Sequence, residues 1–239
     1  MTQNILAKPT PSQALLPFNI PNIDNLFPGF ALGDSAVIDG LPTILPLSLL
    51  LAVRAQLPYQ LGGLESSVVF VDGGNTFRLY KVSHIAQLHR LDPRQVLERT
   101  YISRAFTAHQ MTSMILDKLE EVALKYYAKL VIVSDIAGLY LDKDVQAEES
   151  REVFSQVAAR LSKLAEENSL IVIATYLPHY RSRLNAFIHA VACARANVVM
   201  SVTKSPHRFS QQLVLTKHPL FKLGRVDFPS EDLTLDYFT

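Results

Sequence analysis

The sequence predicts an α/β protein with a doubly wound, mostly parallel sheet and an antiparallel edge near its C-terminus. Short β-type segments alternate with longer segments whose apolar residues recur at helical spacing, a pattern typical of parallel strands joined by crossover helices. The strand-like segments, such as LVIVS at 130–134, are almost entirely apolar, as expected for strands buried on both faces. The 239 residues, 49% of them hydrophobic, suffice for one well-buried domain.

The first predicted strand, Ser35–Asp39, precedes a helix over Leu47–Gln56, with Pro46 in a first turn that does not need its missing N–H. A second strand, Ser67–Asp72, ends at two glycines. Further strands are predicted over 100–103, 130–134 and 170–175, and helices over 78–89, 93–98, 108–127 and 145–168. Short strands over 198–203 and 211–215, joined by a turn-like segment at 205–208, predict the antiparallel edge.

The predicted organisation is a proline-punctuated N-terminal arm over residues 1–17 followed by a single core domain over 18–239. One cysteine, Cys193, cannot form an internal disulfide framework and favours a reducing compartment. The longest uncharged apolar stretch, residues 40–53, has 14 residues and two prolines, whereas a membrane span needs about 20. We therefore expect a cytoplasmic protein without a signal peptide or a membrane anchor.

The charge distribution is uneven, although the formal net charge is only +1. Residues 179–226 contain eight Lys and Arg residues and no Asp or Glu. Such a segment is a candidate surface for a polyanion if its bases converge. The alternative is that these bases lie on different strands, face different ways and form no patch.

The loop after the first strand is where a doubly wound sheet would hold a phosphate group. A phosphate cradle needs glycines with free N–H groups, followed by Lys and Ser or Thr at the start of the helix. Here the loop from Gly40 to Leu47 is GLPTILPL. Pro42 and Pro46 lack N–H donors, and Leu45 and Leu47 stand where bare backbone and a hydroxyl are needed. We predict an apolar, packed loop that binds no nucleotide.

Several segments occur in an order that resembles a known family. FNIPNIDNLFPGFALG at 18–33, VFVDGGNTFR at 69–78 and ISRAFTAHQ at 102–110 are similar to its entry segment, its strand-end motif and its R-A-F motif. Residues 130–136 occupy the Walker B position, and residues 171–178 the strand that normally ends T-N-Q-V. Over roughly 18–226 the chain resembles the core domain of the RecA/RadA recombinase superfamily, the ATP-dependent DNA strand-exchange proteins, and its archaeal core-only (RadB-like) paralogues.

Carried over position by position, the resemblance implies that the family's ATPase centre is missing. Its phosphate-binding Lys, Mg²⁺-ligating Ser/Thr, water-activating Glu, Walker B Asp and γ-phosphate-sensing Gln correspond to Pro46, Leu47, Gly74, Ser134 and Leu177. Asp135 follows the Walker B position, but in a continuing strand its side chain would point to the opposite face. The resemblance thus implies a pseudo-ATPase with no catalytic residues and no cofactor.

The resemblance also implies a DNA-binding loop, because in the family the loop after the T-N-Q-V strand contacts single-stranded DNA. Here this loop begins HYRSRLN at His179. Tyr180, beside Arg181 and close to Arg183, suits base stacking flanked by phosphate contacts. The later hairpin would extend this track with Lys204 and Arg208. The alternative is that the two arginines only solvate a surface loop or cap a helix.

Other candidate sites are weaker. The seven histidines and Cys193 show no recognised metal spacing, so we expect no metal, and Cys193 is predicted to be a small core residue. FIHA at 187–190 matches the short F-x-x-A pattern by which recombinase protomers associate, although two fixed residues often recur by chance. Asp72 is expected to keep a structural role at its strand end, and Arg104 to form a buried ion pair.

Three functions follow from these residues. The first is a non-catalytic RecA/RadA-like accessory factor in recombination and repair, with single-stranded DNA, an active RadA-type recombinase or another paralogue as partner, and self-association as a further possibility. The second is a scaffold or regulatory subunit that binds only protein, with its basic segment facing an acidic partner. The third is an enzyme with an unconventional mode of nucleotide binding.

Overall fold

The computed structural model describes residues 14–207 and 210–229. The strands of these residues are β1 (Leu15–Leu16), β2 (Phe30–Ala31), β3 (Ser35–Gly40), β4 (Ser67–Asp72), β5 (Thr100–Arg104), β6 (Ala128–Ser134), β7 (Ile171–Tyr176), β8 (Val198–Lys204), β9 (Ser210–Lys217) and β10 (Gly224–Pro229). The α-helices are α1 (Pro21–Leu26), α2 (Ile44–Arg54), α3 (Leu79–Leu88), α4 (Pro93–Glu98), α5 (Ala108–Ser113), α6 (Leu119–Lys125), α7 (Ala147–Asn168) and α8 (Arg183–Arg195). A π-helical segment, Met114–Lys118, joins α5 to α6.

The main sheet has eight strands in the order β10-β9-β8-β3-β7-β6-β4-β5. From β8 to β5 all neighbours are parallel, whereas β9 is antiparallel to both β8 and β10. This confirms the predicted α/β fold with its mostly parallel sheet and antiparallel edge. In the centre, β3 lies between β7 and β8, and its last residue, Gly40, is in register with Val202.

Two hydrophobic clusters cover the two faces of the sheet. Alternate strand residues serve opposite faces: Ile132 belongs to the cluster with helix α2, while the adjacent Val131 belongs to the cluster with α7. Both side chains are fully buried. Burial on both faces explains why the central strands carry apolar residues without alternation.

The structure differs from the predicted elements at several places. Helix α2 begins at Ile44, three residues before the predicted start, and the predicted helix over 108–127 is α5, the π-helical segment and α6. Helix α8 and strand β10 were not predicted. Within the predicted arm, β1 pairs with β2 and Leu16 is fully buried in the core, while residues 1–13 lie outside the described residues.

Across the described residues, every helix is too short or too polar to cross a membrane.

We expect the acid–base behaviour of Asp24 to make the protein less stable as the pH rises from about 4 to about 6. The backbone N–H of Phe18 donates to Asp24 Oδ1 at 3.1 Å. Burial raises the pKa of Asp24 to about 6, although nearby Arg54 favours the charged form. Because the folded state then binds more protons than the unfolded state in this interval, its stability falls with rising pH. Asp24→Asn keeps an acceptor for Phe18 and is expected to remove this fall, measured by urea unfolding at pH 4 to 7.

Asp144 is exposed, and Asp144→Asn removes the same charge from the surface, so this variant serves as the control. A pH profile that is as steep in Asp24→Asn as in the wild type would contradict this assignment.

Candidate functional site at the carboxyl edge of the sheet

The candidate positions gather at one edge of the sheet. The carboxyl ends of β3, β7, β6 and β4 meet there, because these strands are parallel. The loop from Gly40 to Leu47 follows β3, Gly74 follows β4, Ser134 ends β6, and Leu177 follows β7. In open α/β sheets this edge is the usual place for a ligand.

The loop from Gly40 to Leu47 uses most of its backbone donors within the fold. Leu41 N–H donates to Val202 O of β8 (2.9 Å). Within the loop, Ile44 N–H donates to Leu41 O (3.0 Å), Leu45 N–H to Pro42 O (3.0 Å) and Leu47 N–H to Thr43 O (3.2 Å). The side chains of Ile44 and Leu47 are fully buried. The loop is therefore apolar and packed, as predicted; that it binds no nucleotide stays a prediction.

A buried hydrogen-bond network occupies the ends of β4 and β6. Asp72, which is fully buried, accepts from the backbone N–H of Thr76 at 2.7 Å and of Phe77 at 3.2 Å. It also forms an ion pair with Arg104 at 3.2 Å, in which Asp72 is buried but Arg104 is exposed, so the pair forms without the burial predicted for Arg104. The hydroxyl of Ser134 lies 2.5 Å from that of Thr76. Ser134 is thus held inside this network.

Asp135 does not continue strand β6, so the premise of the prediction for its side chain does not hold. Strand β6 ends at Ser134, and Asp135 adopts a left-handed conformation with φ of 49°. Strand alternation therefore no longer applies, and the side chain turns towards the segment after β7. There its Oδ1 lies 2.7 Å from His179 Nε2, while its own N–H donates to Thr175 Oγ1 at 2.9 Å.

The segment between β7 and α8 is held by Asn185. Its Nδ2 donates to the backbone oxygens of Tyr180 at 3.0 Å and His179 at 3.3 Å, and its Oδ1 accepts from the Tyr176 hydroxyl at 2.5 Å. Burial raises the pKa of the Tyr176 phenol, so this hydroxyl remains a donor. The backbone around Tyr180 is fixed in this way, yet its ring is 91% exposed.

The predicted DNA-binding loop is shorter than the sequence suggests, because α8 starts at Arg183. Ser182 caps this helix by accepting from the backbone N–H of Asn185 at 3.0 Å. The cap is therefore Ser182 and not an arginine. The FIHA segment lies inside α8, with the guanidinium of Arg151 over the ring of Phe187 at 5.7 Å.

Four of the five predicted DNA-binding residues share this edge. Tyr180, Arg181 and Arg183 lie at the end of β7, and Lys204 ends β8, which is separated from β7 only by β3. The backbones of β7 and β8 are thus two strand spacings, or about 10 Å, apart. Arg181, Arg183 and Lys204 are exposed and form no ion pair within residues 14–207 and 210–229. The fifth, Arg208, lies outside the described residues.

The whole basic segment is not one patch. Lys217 instead serves the C-terminal end of α8, where its Nζ donates to the carbonyl oxygens of Ala194 at 3.0 Å and Cys193 at 3.2 Å. At the carboxyl edge, by contrast, each of three carboxylates lies against a basic side chain: Asp72 with Arg104, Asp135 with His179, and Asp39 with His189. Among the described residues at this edge, Arg181, Arg183 and Lys204 take no part in such ion pairs, and their side chains are exposed.

A cavity of about 630 Å³ opens between β3, β7 and α8. Its lining includes Asp39, His179, Arg181, Asn185, His189 and Ser201. The hydrogen bond to Asp39 raises the pKa of His189 to about 10. Sequence reasoning missed His179, Asn185 and His189. The only signal in the sequence was the place of His179 in the segment after a strand end, because Asn185 and His189 lie in α8, which was not predicted.

These features define the chain as an α/β core of the RecA/RadA type, with helices on both faces and its candidate positions at the carboxyl edge. A family model described as Rad51 matches residues 45–196, more than half of the 239 residues. The chain belongs to this family, which confirms the resemblance to the recombinase superfamily.

Comparison with individual proteins also finds recombination proteins. The chain is 30% identical over 127 residues to the meiotic recombination protein DMC1 of Saccharomyces cerevisiae, covering 52% of this chain and 38% of that protein. It is 33% identical over 138 residues to the DMC1/LIM15 homolog of Mus musculus, covering 54% and 39%. With the DMC1 homolog A of Oryza sativa subsp. japonica the identity is 30% over 127 residues, covering 52% and 37%. The matched part thus spans less than two fifths of each relative.

Proposed function

We propose that this chain is a non-catalytic, RadB-like member of the Rad51 family that binds single-stranded DNA, or an active recombinase, as an accessory factor in recombination and repair. The observation that carries the proposal is the pairing of two features at one edge of the sheet. The loop that would hold phosphate is closed, while Arg181, Arg183 and Lys204 remain exposed beside it. On this view residues 18–239 act as one core domain.

The closed loop supports the absence of ATPase activity. A phosphate cradle needs N–H groups that point out of the loop, whereas four N–H groups of residues 40–47 donate to backbone oxygens and two positions are proline. Gly74, the position that corresponds to the family's general base, also has little room for a larger side chain. A Cβ on Gly74 would lie 2.8 Å from Asp135 Cβ and 2.9 Å from Thr76 Cγ2, so a glutamate there would require the backbone to shift.

The segment after β7 supports DNA binding. Single-stranded nucleic acid is bound by aromatic rings that stack on bases and by cations that contact the phosphates. Tyr180 offers an exposed ring on a backbone held by Asn185, and Arg181 and Arg183 stand beside it. Because the backbone is already ordered, binding costs less conformational entropy than it would for a free loop.

The test is a paired titration of the full chain with a fluorescent single-stranded oligonucleotide and with Mg-ATP. We expect DNA binding whose affinity falls with salt with a slope of about −2, for three phosphate contacts on a single strand. We expect no stabilisation by Mg-ATP, whereas a true ligand at 100 times its Kd adds about 2.7 kcal/mol. Stabilisation by Mg-ATP would overturn the pseudo-ATPase. Capture of a recombinase without DNA binding would instead favour the protein-only scaffold.

A further inference from the structure

Three side chains of different chemistry converge behind the cavity. Asp39 lies near the end of β3, and His189 and Cys193 stand one turn apart on α8, so they share one face of the helix. Asp39 Oδ2 lies 2.7 Å from His189 Nε2, and Cys193 Sγ lies 3.6 Å from the same nitrogen. The three ligand atoms all lie within 4.8 Å of one another.

Both contacts use the same ring nitrogen of His189. A ring nitrogen carries either a single proton or a single lone pair. One hydrogen bond would therefore have to be shared between the carboxylate and the sulfur. A metal ion that displaces the proton from that nitrogen can bind the carboxylate oxygen and the sulfur as well. Coordination of a metal ion requires several donor atoms close together, and these three atoms meet that requirement.

The distances suit a small tetrahedral ion. With Zn–N of about 2.0–2.1 Å, Zn–O of about 2.0–2.2 Å and Zn–S of about 2.3 Å, tetrahedral angles place nitrogen about 3.6 Å from sulfur and about 3.3 Å from oxygen. The observed separation of His189 Nε2 from Cys193 Sγ is 3.6 Å. The Asp39 oxygen, now 2.7 Å from His189 Nε2, has to move back to admit an ion.

We propose that Asp39, His189 and Cys193 bind Zn²⁺ through three protein ligands, with the fourth position open to the cavity of about 630 Å³. A thiolate and an imidazole favour zinc over magnesium or calcium, which prefer oxygen ligands. Asp39 and His189 line the cavity, so a water molecule or a ligand would complete the coordination from that side. The proposed site differs from the sequence prediction of no metal, and it does not depend on the proposed function.

The test uses Co²⁺ as a spectroscopic probe for Zn²⁺. The full chain, freed of metal by a chelator and kept reduced, is titrated with Co²⁺ and then with Zn²⁺. We expect one Co²⁺ per chain, a thiolate-to-cobalt charge-transfer absorption and the visible bands of a four-coordinate ion, all removed by Zn²⁺. Absence of the thiolate absorption would overturn the proposal.

The variants separate the ligands. Cys193→Ser is expected to abolish the charge-transfer absorption and to weaken Co²⁺ binding by more than about tenfold, the smallest loss typical for a residue that only orients a metal ligand. Asp39→Asn is expected to weaken binding but to keep the absorption. His84→Gln, on α3, is the matched control and should change neither. Unchanged affinity in Cys193→Ser would contradict the site.

A measurement on the wild-type chain covers the case in which Cys193→Ser does not fold. Since Cys193 is the only cysteine of the chain, alkylation reports on this thiol alone. We expect Zn²⁺ to slow alkylation of the folded protein, because a coordinated thiolate is no longer free to react. An alkylation rate that Zn²⁺ leaves unchanged would overturn the proposal.

Discussion

Replacing Arg181 and Arg183 together by alanine is expected to weaken binding of single-stranded DNA by roughly 25-fold at 0.1 M salt. Each phosphate contact to a single strand contributes about 0.7 to the slope of log affinity against log salt, which corresponds to about fivefold per contact at that salt concentration. The slope should therefore fall by about 1.4. Both arginines are exposed, so the substitutions should leave the fold intact. Fluorescence anisotropy over a salt series measures affinity and slope together.

The matched control is Arg94→Ala with Lys125→Ala, which removes the same charge. These exposed residues lie in α4 and at the end of α6, the helices that lead into the amino ends of β5 and β6. They are therefore at the opposite edge of the sheet, and we expect little change in affinity. Equal losses in the two double variants would mean that net charge, and not the segment after β7, governs binding.

The second large effect is expected for Gly40→Ala, which should cost more than about 4 kcal/mol of stability, a loss found only for exceptional substitutions. Gly40 ends β3 with φ of 112°, a conformation that other residues rarely adopt. A Cβ there would overlap the backbone carbonyl oxygen of Val202 in β8, and a backbone atom cannot move aside as a side chain can. Urea denaturation measures the loss, and failure of the variant to fold would agree with the same close contact.

Gly33→Ala provides the matched control for backbone strain. Its φ is 98°, yet a Cβ at that position would have no atom within 4 Å. We expect a loss of about 1–3 kcal/mol there, the usual cost of a strained backbone conformation. The difference in stability loss between the two variants measures the cost of the close contact between β3 and β8 at the start of the loop from Gly40 to Leu47. Equal losses would show that this loop has room for a side chain.

Much of the fold could be predicted because its signals are local. Strand β4 and helix α4 have the predicted bounds, since an apolar run ending in glycines and a proline at a first helical position are each read from a few neighbouring residues. Helix α8 was missed because its apolar residues are not confined to one side, and few of them, such as Ile188 and Ala192, are buried.

The candidate site was predictable to the extent that it follows strand ends. Tyr180 and Arg181 follow a strand that the alternation of elements already predicted to be parallel, whereas the parallel pairing of β8 with β3, which brings Lys204 to the same edge, was not predicted. The contacts of Asp135 could not be predicted, because the residue leaves the strand in a left-handed conformation that is uncommon for a non-glycine residue.

The sequence by itself determined the α/β class and the apolar, proline-containing character of residues 40–47, because periodicity and residue type are properties of neighbouring residues. Only the tertiary structure decided that Asp39 meets His189, 150 positions away along the chain, and that Asp135 meets His179. Such contacts depend on which strands become neighbours and on how the turns between them are shaped, and neither is encoded within a short segment.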